Sequence, residues 1–258
     1  MMKKNHLTMS CMVLCATMLS GCIPAPTKVK DVLADKAGYL ATNFSPATLK
    51  PTVREKIQAN DGNPLKFHKM KVDLTWTFNK DDKNKTSVVQ KSTTYLNAGG
   101  NLVQELSDYS KNGIVFNQRY DLTYRGVLSL KTQSTNDNST FASTPYEVKE
   151  LETFDSLDRA REAQELAYKF KFGTKVQIMN FLDGSETCTV GKSHPASQES
   201  ASLSGSAEPV LCTNYNDNGV AQGESGFVYL SDYGVAILTS TKSASGISDA
   251  KIDSVKID

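Results

Sequence analysis

The chain is poor in the residues that most often carry chemistry. Its 258 residues hold three histidines, five cysteines and one tryptophan. His68 and His194 stand far apart and offer no zinc spacing. There is no G-x-S-x-G elbow and no nucleotide-binding loop, so neither a serine triad nor a phosphate cradle is legible. Charge of one sign is missing as well. Lys and Arg number 29 against 28 Asp and Glu, which builds no basic face and sets nucleic acid aside as a partner. Long apolar runs are absent beyond residue 22. "GVAIL" at 234–238 is among the longest, and it has the length of a buried strand rather than of a bilayer span.

What is present begins at the front. Lys3 and Lys4 precede a mostly apolar stretch from Leu7 to Leu19, which ends in Leu19-Ser20-Gly21-Cys22. A basic n-region and a short apolar h-region make a secretory leader, too short for a transmembrane helix of about 20 residues. The Leu-Ser-Gly-Cys tetrapeptide resembles the lipobox of bacterial lipoproteins. That resemblance implies a leader of residues 1–21, cleavage before Cys22, and a diacylglycerol on the Cys22 sulfur, usually with an acylated amine. Each buried CH₂ contributes about 0.8 kcal/mol, so two or three chains hold where one is marginal. The implied partner is the membrane, and the implied location is the bacterial cell envelope. Ile23 occupies the sorting position, where aspartate favours inner-membrane retention in enteric bacteria, so it points to the outer membrane. Pro24 and Pro26 forbid a helix, and residues 22–30 read as an extended tether.

Removing 21 residues leaves 237, with 27 basic against 28 acidic groups. Of the cysteines, Cys22 is committed to lipid in this reading. Cys188 and Cys212 remain, an even pair in an oxidising compartment, and a structural disulfide is expected. Closing a loop of that size stabilises by roughly 3 kcal/mol. The alternative is two free thiols serving as a metal or redox pair.

Periodicity predicts a mainly β fold over 31–258, with antiparallel meander sheets and a few short helices. The sheet is expected as a curved sheet, a sandwich or a half-barrel, and the β-rich stretches fall into two halves, about 62–135 and 146–258. Helical spacing of Val29, Val32, Leu33, Ala37 and Leu40 predicts a helix over 29–41. Pro51 to Ala59 predicts another, with proline in the first turn. "KVDLTWTFN" alternates strictly, with Val72, Leu74, Trp76 and Phe78 on one face. "KDDKNK", "NAGGN" and "KNG" are turns between further strands, and connections this short exclude parallel crossovers. Gly126 interrupts the alternation that runs from Ile114 to Tyr124. Asp155 as cap, with Ala160, Ala163, Leu166, Ala167 and Phe170 on one face, predicts a helix ended by Gly173. Strands follow at "TKVQIMNFL", "ETCTVG", "EPVLCTNY", "GFVYL", "VAILTS" and "AKIDSVKI". The Ser- and Ala-rich stretch between the cysteines reads as a long exposed excursion.

Candidate chemistry is thin. His194 lies near Ser193 and Ser197, where a Ser-His pair is imaginable but an ordinary loop histidine is the simpler reading. Asn214, Asn216, Asn218 and Gly219 partly echo a calcium loop, yet Asn214 and Ser225 hold the places that need acidic ligands. An Asn-Gly hairpin turn explains the stretch better. Glu150 and Glu152 share a strand face, which suits either a carboxylate pair or solubility. No catalytic residue, metal site or cofactor is assigned. The first reading is therefore a non-enzymatic envelope lipoprotein, structural or protein-binding, with other envelope proteins as partners. The second is a carrier of lipid or another apolar ligand in a curved β-sheet cavity. A hydrolase is the third.

Overall fold

The computed structural model describes residues 26–60 and 62–258. The leader, the lipobox and Cys22 lie outside the described residues. Three helices come first: α1 (Val29–Ala34), α2 (Lys36–Asn43) and α3 (Pro51–Asn60). The strands then run β1 (Lys69–Phe78), β2 (Ser87–Gly99), β3 (Leu102–Lys111), β4 (Ile114–Tyr124), β5 (Leu128–Asn136), β6 (Tyr146–Phe154) and β7 (Glu165–Thr174). They continue as β8 (Leu182–Val190), β9 (His194–Pro195), β10 (Ser206–Tyr215), β11 (Ala221–Leu230), β12 (Val235–Ser243) and β13 (Gly246–Ile257).

These strands form one antiparallel barrel of twelve, with the two-residue β9 added beside β10. Sequence neighbours pair in turn, and two contacts close the ring. β8 passes to β10, and β13 returns to β1 with Val72 opposite Val255. The two β-rich halves are thus consecutive arcs of one sheet. The sheet is a closed barrel rather than an open half-barrel or a sandwich, because the first and last strands carry matching alternation and satisfy each other's edges.

Side-chain period two assigns the faces. Leu74 lies opposite Lys91, and Lys91 opposite Tyr109. Tyr95, Glu105 and Asp121 line up across β2, β3 and β4. These residues point into the lumen. The outer face of β3–β6 is covered by the helices. Phe44 stacks on Tyr120 with centroids 6.0 Å apart, Tyr39 donates to Gln133 Oε1 at 2.7 Å, and Lys36 meets Asp108 at 2.7 Å. This double covering explains why β4 is buried on both faces from Tyr120 to Tyr124.

Only two residue pairs join β5 to β6, Lys131 with Glu147 and Thr132 with Tyr146. Beyond them the strands part. One apolar cluster holds helix residues Val53 and Ile57 together with Tyr124, Leu128, Phe154 and Phe227. A second cluster packs Met70, Val72 and Leu74 against Val228 and Ile237 of the β11–β12 hairpin.

That hairpin closes one end of the barrel. Ala236 N donates to Arg125 O at 2.7 Å, so the β11–β12 tip meets the β4–β5 turn. Arg125 and Gly126 both have positive φ, +49° and +78°, the signs of a type I′ turn, and Val127 N donates to Tyr124 O at 2.9 Å across it. Gly126 is therefore a turn between two strands, where the sequence suggested an interruption of one. Arg125 is fully buried. Its Nη1 donates to Gly234 O at 3.0 Å, its Nη2 to Asn63 O, and Asp158 lies 3.8 Å away.

Several expectations need correction. The helix expected over 29–41 is two helices broken at Asp35, whose Oδ1 accepts from Gly38 N at 2.9 Å and caps α2. The helix expected after Asp155 is a short 3-10 turn, Leu157–Arg159, followed by β7. Leu166, Tyr168, Phe170 and Phe172 alternate within β7, which pairs with both β6 and β8, and just ahead of it Ala163 N donates to Val190 O at 2.8 Å. Asp155 instead accepts from Ala167 N at 2.8 Å. The strand expected at "TKVQIMNFL" is mostly a connection, for β7 ends at Thr174 and β8 starts at Leu182. The serine-rich excursion is not wholly exposed. Ala196 and Leu203 are buried in the second cluster, and Ser202 Oγ donates to Val255 O at 2.9 Å. The tether is shorter than 22–30, since Val29 N donates to Thr140 O and Ala142 N to Thr27 O.

Candidate functional site

The closed end leaves the lumen open at the opposite one, where β5–β6, β7–β8 and β10–β11 connect. A cavity of about 540 Å³ opens there. Its walls are largely apolar: Leu128, Leu130, Val148, Phe170, Phe172 and Leu182, with Tyr146 and Tyr215 at the mouth. The size falls within the ~300–1,000 Å³ of small-molecule sites. Alternation along β7 brings Phe170 and Phe172 inward, with ring centroids 6.1 Å apart.

A second chamber of about 300 Å³ lies across the lumen and is polar. Ser129, Glu186 and Asn214 line both chambers. In the polar one, Arg119 Nε donates to both oxygens of Asp121, at 3.0 and 2.8 Å, and the carboxylate keeps the guanidinium firmly charged. Thr123 Oγ1 donates to Glu105 Oε1 at 2.6 Å. Burial, then the neighbouring Asp121, raises the Glu105 pKa. Lys91 Nζ sits over the rings of Trp76 and Tyr109, 5.8 and 5.6 Å from their centroids.

Glu186 differs from these groups. It is 6% exposed, and burial alone raises its pKa to about 7. Among the described residues no cation lies within ion-pair distance of it. Oε1 stands 3.9 Å from Cys188 Sγ, a sulfur that carries no proton once bridged. Register explains the placement: Glu186 faces Tyr168 on one side and Asn214 on the other.

The structure joins Cys188 and Cys212 in a disulfide between directly opposed residues of β8 and β10, with Cα atoms 3.9 Å apart. Glu186 and the two sulfurs form a three-group cluster, but the bridge removes both thiolates from metal ligation. The remaining candidates are not brought together. His194 pairs with Glu199 at 2.7 Å, outside the lumen. Asn216 Oδ1 accepts from Asn218 N at 3.0 Å and Val220 N at 2.9 Å, which makes the calcium-like stretch a hairpin turn. Glu150 and Glu152 both reach Lys171 at 3.3 Å. Sequence reasoning missed Glu186. The available signal was its place two residues before Cys188 on a strand, which puts a carboxylate on the same face as a buried bridge.

Fold and site together define an antiparallel β-barrel with a lumen graded from apolar to polar. No family model matches the chain, and no curated protein matches it. Among solved structures it is similar to a beta-barrel-like protein of domain of unknown function DUF1849 from Brucella abortus. The TM-score is 0.44 and the identity 9%, over 75% of this chain and 99% of that one.

Proposed function

We propose that this protein is an envelope lipoprotein that binds one amphiphile, with the apolar chain in the mouth chamber and a hydrogen-bond-donating head beside Glu186 and Asn214. The observation that carries this reading is the buried Glu186, with no cation beside it among the described residues, at the junction of an apolar cavity and a polar one. An unpaired buried carboxylate costs stability, and a donor supplied by a ligand offsets that cost. The cavity favours the carrier reading over a purely structural module, because a barrel that served only as a scaffold would gain from filling its lumen. Cys22 supplies the tether through its acyl chains, and the expected disulfide-permissive compartment agrees with the bridge between Cys188 and Cys212.

The test is native mass spectrometry of protein purified from membranes, paired with titration of the fluorescent apolar probe N-phenylnaphthylamine. One bound amphiphile per chain and saturable probe uptake are expected. Thr132→Trp, which fills the mouth chamber, should weaken probe binding at least tenfold. A barrel that purifies empty and takes up no probe would overturn the proposal.

A further inference from the structure

The exposed apolar side chains of this barrel are confined almost entirely to one end. Among the described residues eleven large hydrophobics are exposed, and every one except Leu211 belongs to the mouth end. Ile178 is 82% exposed, Ile114 72% and Met179 63%. Val176, Ile178 and Met179 occupy the β7–β8 connection, Ile114 and Phe116 the start of β4, and Phe141 the β5–β6 loop. A soluble surface rarely gathers so much apolar area around one opening unless something covers it.

The chain's own path says what covers it. Lys28 forms a β-bridge with Phe141, so the N-terminal segment leaves the barrel at this rim. Lys28 stands only six peptide steps from Cys22. Fully extended, they reach at most about 20 Å. A ten-residue strand such as β1 rises roughly 33 Å along its own axis and, tilted by about 40°, about 25 Å along the barrel, so the closed end still lies farther away than the tether can reach. An acyl anchor at Cys22 therefore draws the mouth, not the closed end, toward the bilayer.

We propose that the mouth rim docks on the lipid bilayer, with Ile178, Met179 and Ile114 entering the interfacial region. The lumen then opens toward the membrane, and its ligand enters and leaves without crossing water. The orientation rests on the anchor at Cys22, and the apolar rim is an independent observation.

The experiment places a reporter tryptophan at either end of the barrel. Ile178→Trp, and Phe116→Trp as a second rim variant, are compared with Asp232→Trp at the β11–β12 turn. The buried native Trp76 serves as a constant background. Acylated protein from membranes is reconstituted in vesicles of phosphatidylethanolamine and phosphatidylglycerol that contain brominated lipid. The rim tryptophans should be quenched by brominated lipid at least threefold more than the one at 232, and iodide should show the opposite order. Equal quenching at both ends, or stronger lipid quenching at 232, would overturn the proposal. Sedimentation with the vesicles reports the anchor separately. A chain that proves not to be acylated is simply mixed with the same vesicles, and the quenching contrast is read in the same way.

Discussion

Glu186 is a buried carboxyl group whose protonation is coupled to folding. Its ordinary carboxylate value is 4.5, and burial raises it to about 7 in the folded chain. Between these values the native state holds a proton that the unfolded state has released. Stability therefore falls as pH rises through that window and stays lost above it. At about 1.4 kcal/mol per pKa unit, the loss is roughly 3 kcal/mol by pH 8. Glu186→Gln removes this titration. In urea unfolding the variant should match the parent near pH 4, below the unfolded carboxyl value, and exceed it by roughly 2–3 kcal/mol at pH 8. Glu105 titrates in both proteins and cancels in the difference, so parallel stability curves would contradict the assignment. At this scale the sequence was partly legible. Cys188 and Cys212 stood out because spare cysteines are scarce. Glu186 did not, because one acid among 28 carries no mark of burial.

The elements depend on turns and on the partners that strands acquire. Gly126 shows both. Its φ is +78°, and a Cβ there would lie 2.2 Å from Ala236 O, in the contact that closes the barrel end. Gly126→Ala should destabilise by more than about 2 kcal/mol, measured by chemical denaturation, because strain and clash act together. Arg125→Leu should cost about 3–5 kcal/mol in the same assay, since it strips buried carbonyls and Asp158 of their partner. Strict alternation made β1 and its neighbours readable, and "KNG" marked its turn through Asn112 and Gly113, both at positive φ. The stretch from Ala160 to Phe170 is ambiguous, because Ala163, Leu166, Ala167 and Phe170 fit a helix face while Leu166, Tyr168 and Phe170 fit a strand face. Only the backbone bonds offered by β6 and β8 decide between them.

At the scale of the molecule, the barrel is a ring closed by contacts between distant segments, and the disulfide crosses the same wall that carries Glu186. Replacing Cys188 and Cys212 together by alanine should lower stability by roughly 3 kcal/mol, read as a lowered denaturation midpoint with a slope equal to or slightly steeper than the parent's, because the unbridged denatured chain exposes more surface. A midpoint that does not move would mean that the bridge adds nothing to the barrel's stability. The sequence by itself determined the β character, most strands and turns, helical structure from Val29 and from Pro51, and the candidate cysteine pair. All of these follow from local period, local turn chemistry and composition. Only the tertiary structure decided that the sheet closes, that one of its faces encloses a lumen and that one end is plugged while the other is open. Alternation states which side chains share a face. Whether that face meets solvent, a helix or an enclosed cavity depends on which strands pair, and Met70 and Ile257 lie at opposite ends of the β region.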